Sequence, residues 1–389
     1  GGLIMSSGIG TGIASGTEPS CRQRDASRLR VAIFSDALPA RNGAGAYYED
    51  LAAQLGPQLG ELILFQPVVK KRLLHFALPL PGDSTQKLIT PNVLRIHREF
   101  HALRPDLVIS VTPGPFGLLG LWLARRSGAG FLTAFHTHFE GLAKLYGDTW
   151  FFRLAHWYLV QVNRILCRNS DSVLVNNSSL NATVESLGAL RVDVMGTPLS
   201  RAFLDTPIVP PTENLRQVLF AGRLAPEKNL PAILDAVKAL PDIRFVIAGD
   251  GPLRSELERE AQLLPNLRLT GWLERDALRA EMDAAGLLIL PSHMETFGTV
   301  ALEAMARGRP ALVAANAGIH DWPLLKDSLF TLGEGESLAQ VLQQLSELPA
   351  STWQEKAAAA RRAAEALNSH TINQWLDFVE RYARKNRHE

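Results

Sequence analysis

Short apolar runs bounded by polar and glycine-containing stretches recur along the chain, separated by longer segments with helical spacing. The first set opens with LRVAIFSD at 29–36, followed by a Gly-containing loop and a helix near 44–56. Strand-like runs follow near 61–66, 106–111, 131–135 and 172–176. A second set opens with QVLFAGR at 217–223. It continues with FVIAGDG at 245–251, LRLTGW at 267–272, GLLILPS at 286–292 and PALVA at 310–314. Apolar strands alternating with helices predict parallel sheets covered on both faces. Three helical patterns near 337–348, 352–367 and 371–385 close the chain without strands between them. Between the two sets, the prolines of TPIVPPTEN (206–214) mark a hinge or linker.

The pattern therefore predicts an α/β chain of two doubly wound, Rossmann-like domains, 30–205 and 206–370, with the last helix (371–389) packing back on the first. Residues 1–29, rich in Gly, Ser and Thr, read as a disordered lead with Met5 as a natural start. Ligands of doubly wound folds bind off the carboxyl ends of the strands, so a cleft between the domains is the expected site.

Composition narrows the class. The 389 residues are 46% hydrophobic and 20% charged, as in a soluble globular protein. No apolar run approaches the ~20 residues that span a bilayer. The two cysteines, Cys21 and Cys167, are too few and too far apart for a disulfide framework or metal cluster, which fits a reducing cytoplasm. The net charge of +1 is unevenly divided: residues 1–205 carry 20 Lys and Arg against 15 Asp and Glu. Much of the excess lies in 68–104, where nothing interleaves aromatics and arginines as a nucleic-acid groove would. The basic half suits an anionic membrane surface or an acidic acceptor, with ordinary solvated charge as the alternative.

The chemistry concentrates at predicted strand ends. In ILPSHMETFGTVALEAMARGRPALVA (289–314), Glu295 falls in the turn after a strand and Glu303 inside the following helix. At ~1.5 Å rise per residue the two carboxylates lie roughly 10–12 Å apart, the span from sugar to ribose in an extended sugar nucleotide. Between them, Phe297, Gly298 and Thr299 offer backbone N–H groups at a helix N-terminus, a favoured place for a diphosphate. A helix cap at Glu295 and a solvated Glu303 are the plain alternative. In AGRLAPEKNLPAIL (221–234), Arg223 and Lys228 converge on another helix start, a fork and a point charge suited to phosphate. Asn229 can cap that helix, with Pro231 in its first turn.

Asn42-Gly43-Ala44-Gly45 lets backbone approach a ligand closely, although a simple turn fits equally well. FHTHF (135–139) puts His136 and His138 on one side of a continuing strand. Contact between His136 and substrate, structural histidines or a zinc site are all compatible with that spacing. With Glu140 as the nearby carboxylate and no Asp-x-Asp pair in the chain, no metal is expected. Arg223, Lys228 and helix N-termini are left to neutralise a diphosphate.

With SDALPARNGAGAY, FHTHFEGLAKLYG, FAGRLAPEKN, IAGDGPLRSELE, LTGWL and PSHMETFGTVALEAMARG in this order, the chain resembles the retaining family 4 glycosyltransferases over about residues 29–385. The resemblance implies the GT-B fold, two Rossmann-like domains facing a cleft. It implies that Gly43 closes on the donor diphosphate, and that Arg223 and Lys228 bind the phosphates and stabilise the leaving nucleoside diphosphate. Backbone near Phe297, Gly298 and Thr299 would hold the same phosphates. Glu303 would accept from ribose hydroxyls and Glu295 from sugar hydroxyls. His136 would lie beside the sugar, and the base near Leu273. The usual proposal for such enzymes is a front-face displacement with no protein base, so the two glutamates need not form an acid–base couple.

Within that family, FHTHFEGLAKLYGDTWFFRLAHWYLVQVNRILCRNSDSVLVNN looks most like membrane-lipid glycosyltransferases of the sulfoquinovosyl-, mannosyl- or glucosyl-diacylglycerol and phosphatidylinositol mannosyl types. That implies a nucleotide sugar, UDP- or GDP-linked, and a lipid or glycolipid acceptor at the inner face of a membrane. A soluble acceptor, or nucleotide-sugar binding without transfer, is the alternative. KKRLLHF (70–76) and WFFRLAHWYLV (150–160) mix cations and aromatics as an interfacial helix would, and the same spacing fits a core helix. Two departures stand out: His138 where relatives carry Asp or Asn, and AANAGIHDWP in place of a Gly-Gly turn.

Overall fold

The computed structural model describes residues 25–37, 43–67, 77–80, 83–89, 91–136 and 149–384. Strands β1 (Arg30–Phe34), β2 (Glu61–Phe65), β5 (Leu107–Ser110), β6 (Gly130–Phe135), β7 (Ser172–Val175) and β8 (Val192–Val194) form one sheet in the order β2-β1-β5-β6-β7-β8. Between β2 and β5, β3 (Ala77–Leu80) and β4 (Asp83–Ile89) pair as an antiparallel ribbon that the sequence pattern does not announce. Strands β9 (Gln217–Ala221), β10 (Arg244–Ala248), β11 (Leu267–Gly271), β12 (Leu287–Leu290), β13 (Ala311–Ala314) and β14 (Leu329–Leu332) form the second sheet, ordered β11-β10-β9-β12-β13-β14. Every pairing within the two sheets is parallel.

The central strands are buried along almost their whole length, which is why they read as apolar runs. Within the two sheets, the strands missed in sequence are β8 and β14, both at edges and both including half-buried residues. In each sheet the order reverses beside the first strand, between β1 and β5 and between β9 and β12. Those are the crevices where a doubly wound sheet receives a ligand.

Loops from the carboxyl ends of both sheets touch each other. Asn177, after β7, donates to the Thr296 carbonyl at 3.0 Å, and Ser178 donates to Asp321 at 3.3 Å. Arg275, after β11, pairs with Asp50 of the helix Gly43–Leu55 at 2.8 Å. The Pro-rich segment is not loose: Arg307, fully buried, donates to the carbonyls of Phe203, Thr206 and Pro207, and Arg309 to that of Val209.

The C-terminal pattern differs from the expectation of separate helices near 352–367 and 371–385. One helix, Ala350–Tyr382, runs through the polar stretch that reads as a break. Asn368 accepts from the Leu199 amide and donates to Gln54, while Thr371 bonds back to the Leu367 carbonyl. The polar groups are satisfied without ending the helix. Its first half buries Trp353, Ala360 and Leu367 in the core of the second sheet, and its last turns bury Trp375, Phe378 and Val379 in that of the first. Inside the stretch read as a lead, Asp25 caps a turn, Ala26–Arg28, and Ala26 packs on the first core.

Candidate functional site

The reversal point between β9 and β12 gathers most of the predicted residues. Arg223 and Lys228 come from the loop after β9, Glu295 from the loop after β12. Lys228 Nζ donates to Glu295 Oε2 at 2.7 Å, with both side chains largely buried, and Ser292 Oγ donates to the same oxygen at 3.1 Å. Arg223 Nη1 donates to Glu227 Oε1 at 2.9 Å. The two loops are tied by backbone: the His293 amide donates to the Glu227 carbonyl at 2.8 Å. Asn229 joins this tie rather than capping its helix. Its backbone is left-handed (φ 57°), and its side chain donates to the Pro291 carbonyl at 3.0 Å.

The glycines of IAGDG have a packing reason. A Cβ on Gly249 would sit 1.8 Å from the Gly222 carbonyl oxygen, so only glycine lets this loop lie against the one carrying Arg223. The Leu224 amide then donates to the Asp250 carbonyl, pinning the Arg223 loop from beside β10.

Gly298 precedes the helix Thr299–Ala306 with φ 104°, a left-handed conformation that turns the chain into the helix. The amides of Phe297, Gly298 and Thr299 find no acceptor among the described residues, the state expected at an anion-binding helix start. The segment that departs from a Gly-Gly turn supports this loop. The Ile319 amide donates to the Phe297 carbonyl at 3.0 Å, and Gly318 packs so closely that a Cβ would meet the Thr296 oxygen at 2.0 Å.

Glu303 lies one turn into that helix, half-buried. Burial, reinforced by the nearby Asp50 carboxylate, pushes its pKa up to about 8, and Arg275 only partly opposes this. Asp50 itself is raised to about 6, because burial outweighs its ion pair with Arg275. Sequence reasoning missed both Asp50 and Arg275. The available signals were weak: Asp50 ends GAGAYYED, and Arg275 follows LTGWL at a strand's carboxyl end. Leu273 is half-buried against the second core beside β11.

His136 follows β6 and makes its contacts within the first half of the chain. Its Nε2 is 2.7 Å from the Tyr48 hydroxyl, and burial lowers its pKa to about 4. None of its hydrogen bonds or ring contacts is with Arg223, Lys228 or Glu295. Gly43 opens the helix Gly43–Leu55. His138, Glu140 and residues 70–76 lie outside the described residues. Among the described residues no group of three or more His, Cys, Asp or Glu side chains is placed to hold a metal ion.

The helix Trp150–Arg168 departs from a core reading. Val162, Leu166 and Cys167 face inward, but Trp150, Phe151, Leu154, Trp157 and Tyr158 are exposed, Trp150 by 75% and Trp157 by 59%. No helix among the described residues is long and apolar enough to cross a membrane.

Residues 41–198 match the family model Glycosyltransferase Family 4, and residues 205–365 match Glycosyl transferases group 1. The chain is 26% identical to sulfoquinovosyl transferase SQD2 of Arabidopsis thaliana over 58% of its own length and 46% of that protein, so it spans about half of that relative. It is 28% identical to a GDP-mannose-dependent α-(1-6)-phosphatidylinositol dimannoside mannosyltransferase of Mycobacterium tuberculosis, covering 74% of this chain and 76% of that one. It is 26% identical to the α-monoglucosyldiacylglycerol synthase of Streptococcus pneumoniae, covering 63% and 60%. Sucrose-phosphate synthase from Thermosynechococcus elongatus shares the fold, with a TM-score of 0.67, 18% identity and coverage of 91% of this chain and 98% of that one. Two facing parallel six-stranded sheets, with one family model on each half, identify the chain as a member of the family 4 glycosyltransferases with the GT-B fold.

Proposed function

We propose that the chain transfers a hexosyl group from a UDP- or GDP-linked sugar to a lipid or glycolipid at a membrane surface, with retention at the anomeric carbon and without a metal ion. The observation that carries the donor half is the cluster at the β9/β12 reversal. Lys228 pairs there with Glu295 just ahead of a helix start whose first amides find no acceptor among the described residues, Arg223 sits on the Lys228 loop, and Glu303 lies one turn along the helix. In this reading Arg223, Lys228 and the amides of Phe297, Gly298 and Thr299 hold the diphosphate. Glu303 and Glu295 accept from ribose and sugar hydroxyls, the base rests near Leu273, and Gly43 closes the phosphate side.

The bond from the anomeric carbon to the diphosphate oxygen breaks while the acceptor oxygen bonds the same carbon from the same face. The acceptor proton passes to the departing phosphate oxygen. Cations and amides aimed at that oxygen stabilise its growing charge, and the site orients both reactants.

The lipid half rests on the exposed aromatic face of the helix Trp150–Arg168. That helix carries no acidic residue, and Arg153, Arg164 and Arg168 are exposed on it. The helices Val93–Leu103 and Pro115–Ser127 share its underlying core. They add an 86%-exposed Leu94 and a Trp122 ring with the Arg126 guanidinium 5.0 Å above it. Aromatic rings flanked by arginines suit the interface of an anionic bilayer, and two relatives carry a phosphatidylinositol dimannoside and a monoglucosyldiacylglycerol in their names.

The test is a mass-spectrometric screen of sugar nucleotides against diacylglycerol, glycolipids and soluble sugars, with and without chelator. A hexosyl lipid formed equally in chelator supports the reading. Transfer only to a soluble acceptor overturns the lipid half, and donor binding without transfer overturns the enzyme.

A further inference from the structure

Tyr48 lies on the helix Gly43–Leu55 and is fully buried, its hydroxyl 2.7 Å from His136 Nε2. The neighbouring Tyr47 is occupied elsewhere: it donates to the Gly196 carbonyl at 2.6 Å and accepts from Trp375 Nε1 at 3.0 Å. Both phenol rings meet the imidazole, Tyr47 with centroids 4.8 Å apart and Tyr48 at 5.4 Å with the planes perpendicular. The imidazole is therefore held by two rings but hydrogen-bonded by one.

Burial raises the Tyr48 phenol far above its ordinary range, so it keeps its proton. Burial also keeps the imidazole neutral near pH 7. A buried phenol O–H needs an acceptor, and among the described residues the only one it has is His136 Nε2. With Nε2 accepting, the single proton of a neutral imidazole must sit on Nδ1.

We propose that Tyr48 is a positioning residue that fixes His136 as its Nδ1–H tautomer, so that the imidazole meets the substrate as a hydrogen-bond donor rather than as a base through Nε2. The role toward substrate rests on the reading of His136 as a residue beside the donor sugar. The tautomer rests on the Tyr48–His136 contact and on the burial that keeps the phenol protonated and the imidazole neutral. Nε2 is engaged by the phenol, so the ring cannot take the acceptor's proton there, which fits a reaction in which the leaving phosphate takes it.

The test is ring-nitrogen NMR of the full chain labelled with 15N-histidine, with His136 assigned by the signal lost in His136→Gln. In the wild type we expect Nε2 to be unprotonated and Nδ1 protonated. Tyr48→Phe, which keeps the ring but loses the hydroxyl, shifts Nε2 toward the protonated form. Tyr47→Phe leaves the tautomer unchanged. In transfer assays Tyr48→Phe lowers kcat by about 3- to 10-fold, the scale of one net hydrogen bond, with the donor KM nearly unchanged. A protonated Nε2 in the wild type, or a Tyr48→Phe protein with unaltered tautomer and kcat, overturns the proposal. The NMR readout needs no substrate, so an absence of transfer would refute the functional reading and leave the tautomer decided.

Discussion

Lys228 and Glu295, 67 residues apart in sequence, meet at 2.7 Å where the second sheet reverses its strand order. The pair joins a phosphate-type cation to a hydroxyl-type acceptor on two loops that the His293 amide and the Asn229 side chain tie together. Removing one partner leaves the other charge uncompensated in a largely buried place. Glu295→Ala and Lys228→Ala should each lower kcat by about 10²- to 10³-fold, the range for losing one preorganised charge-stabilising group. Steady-state rates of nucleoside diphosphate release measure this, and rates within a few-fold of wild type would dissociate the pair from the reaction.

Glu303 predicts a pH dependence. Its folded-state pKa of about 8 means that it is mostly protonated at pH 7 and ionised by pH 9. If the carboxylate is the form that accepts ribose hydroxyls, donor affinity should rise by about tenfold between pH 7 and 9. Glu303→Gln should flatten that rise. Asp50→Asn removes the like charge and should move the midpoint downward. Calorimetric titration with a sugar nucleotide across this range is the check. The stability sign is opposite. With the folded pKa raised, Glu303 contributes stability that is fully present below its unfolded value of about 4.5 and lost as pH rises through about 8.

Arg307 predicts a stability effect remote from the chemistry. Its fully buried guanidinium pairs with Asp283 at 2.8 Å and bonds three carbonyls between Phe203 and Pro207. Arg307→Ala orphans all of these, and urea unfolding should show a loss of about 3–5 kcal/mol. Arg307→Lys cannot reproduce the planar fork and should recover only part of it.

Much of this was legible in the sequence because it depends on local pattern. Buried parallel strands wrote themselves as apolar runs, and the turn positions of Arg223, Lys228, Glu295 and Gly298 followed from strand ends. What escaped depends on distant parts of the fold. Asp50 and Arg275 matter because two sheets bring their helices together. Tyr48 matters because β6 ends beside it, and nothing in GAYYED marks which tyrosine reaches a histidine. Asn368 falls in the gap expected between two helices, and what carries the helix through it is its bonding to Leu199 and Gln54, which packing brings there. The edge strand β8, Val192-Asp193-Val194, lacks the apolar run that burial on both faces imposes.

The exposed rings of the helix Trp150–Arg168 predict salt-sensitive binding to vesicles. Sedimentation with vesicles containing anionic lipid should bind the wild type, and a Trp150→Ala, Trp157→Ala variant should bind at least about tenfold more weakly, since each buried aromatic contributes on the order of 1–3 kcal/mol. Because both rings are exposed, the variant should fold as the wild type does, which circular dichroism verifies. Equal binding by both proteins would remove the helix from the interface.

The central claim, that the β9/β12 reversal holds the donor diphosphate, is tested most directly by calorimetric titration of UDP and GDP into the wild type, Arg223→Ala and Lys228→Ala, with chelator present throughout. The account predicts binding of at least one nucleotide to the wild type without metal, and about tenfold or greater weakening in each variant. Undiminished binding in both variants, or binding that requires a divalent ion, would contradict it.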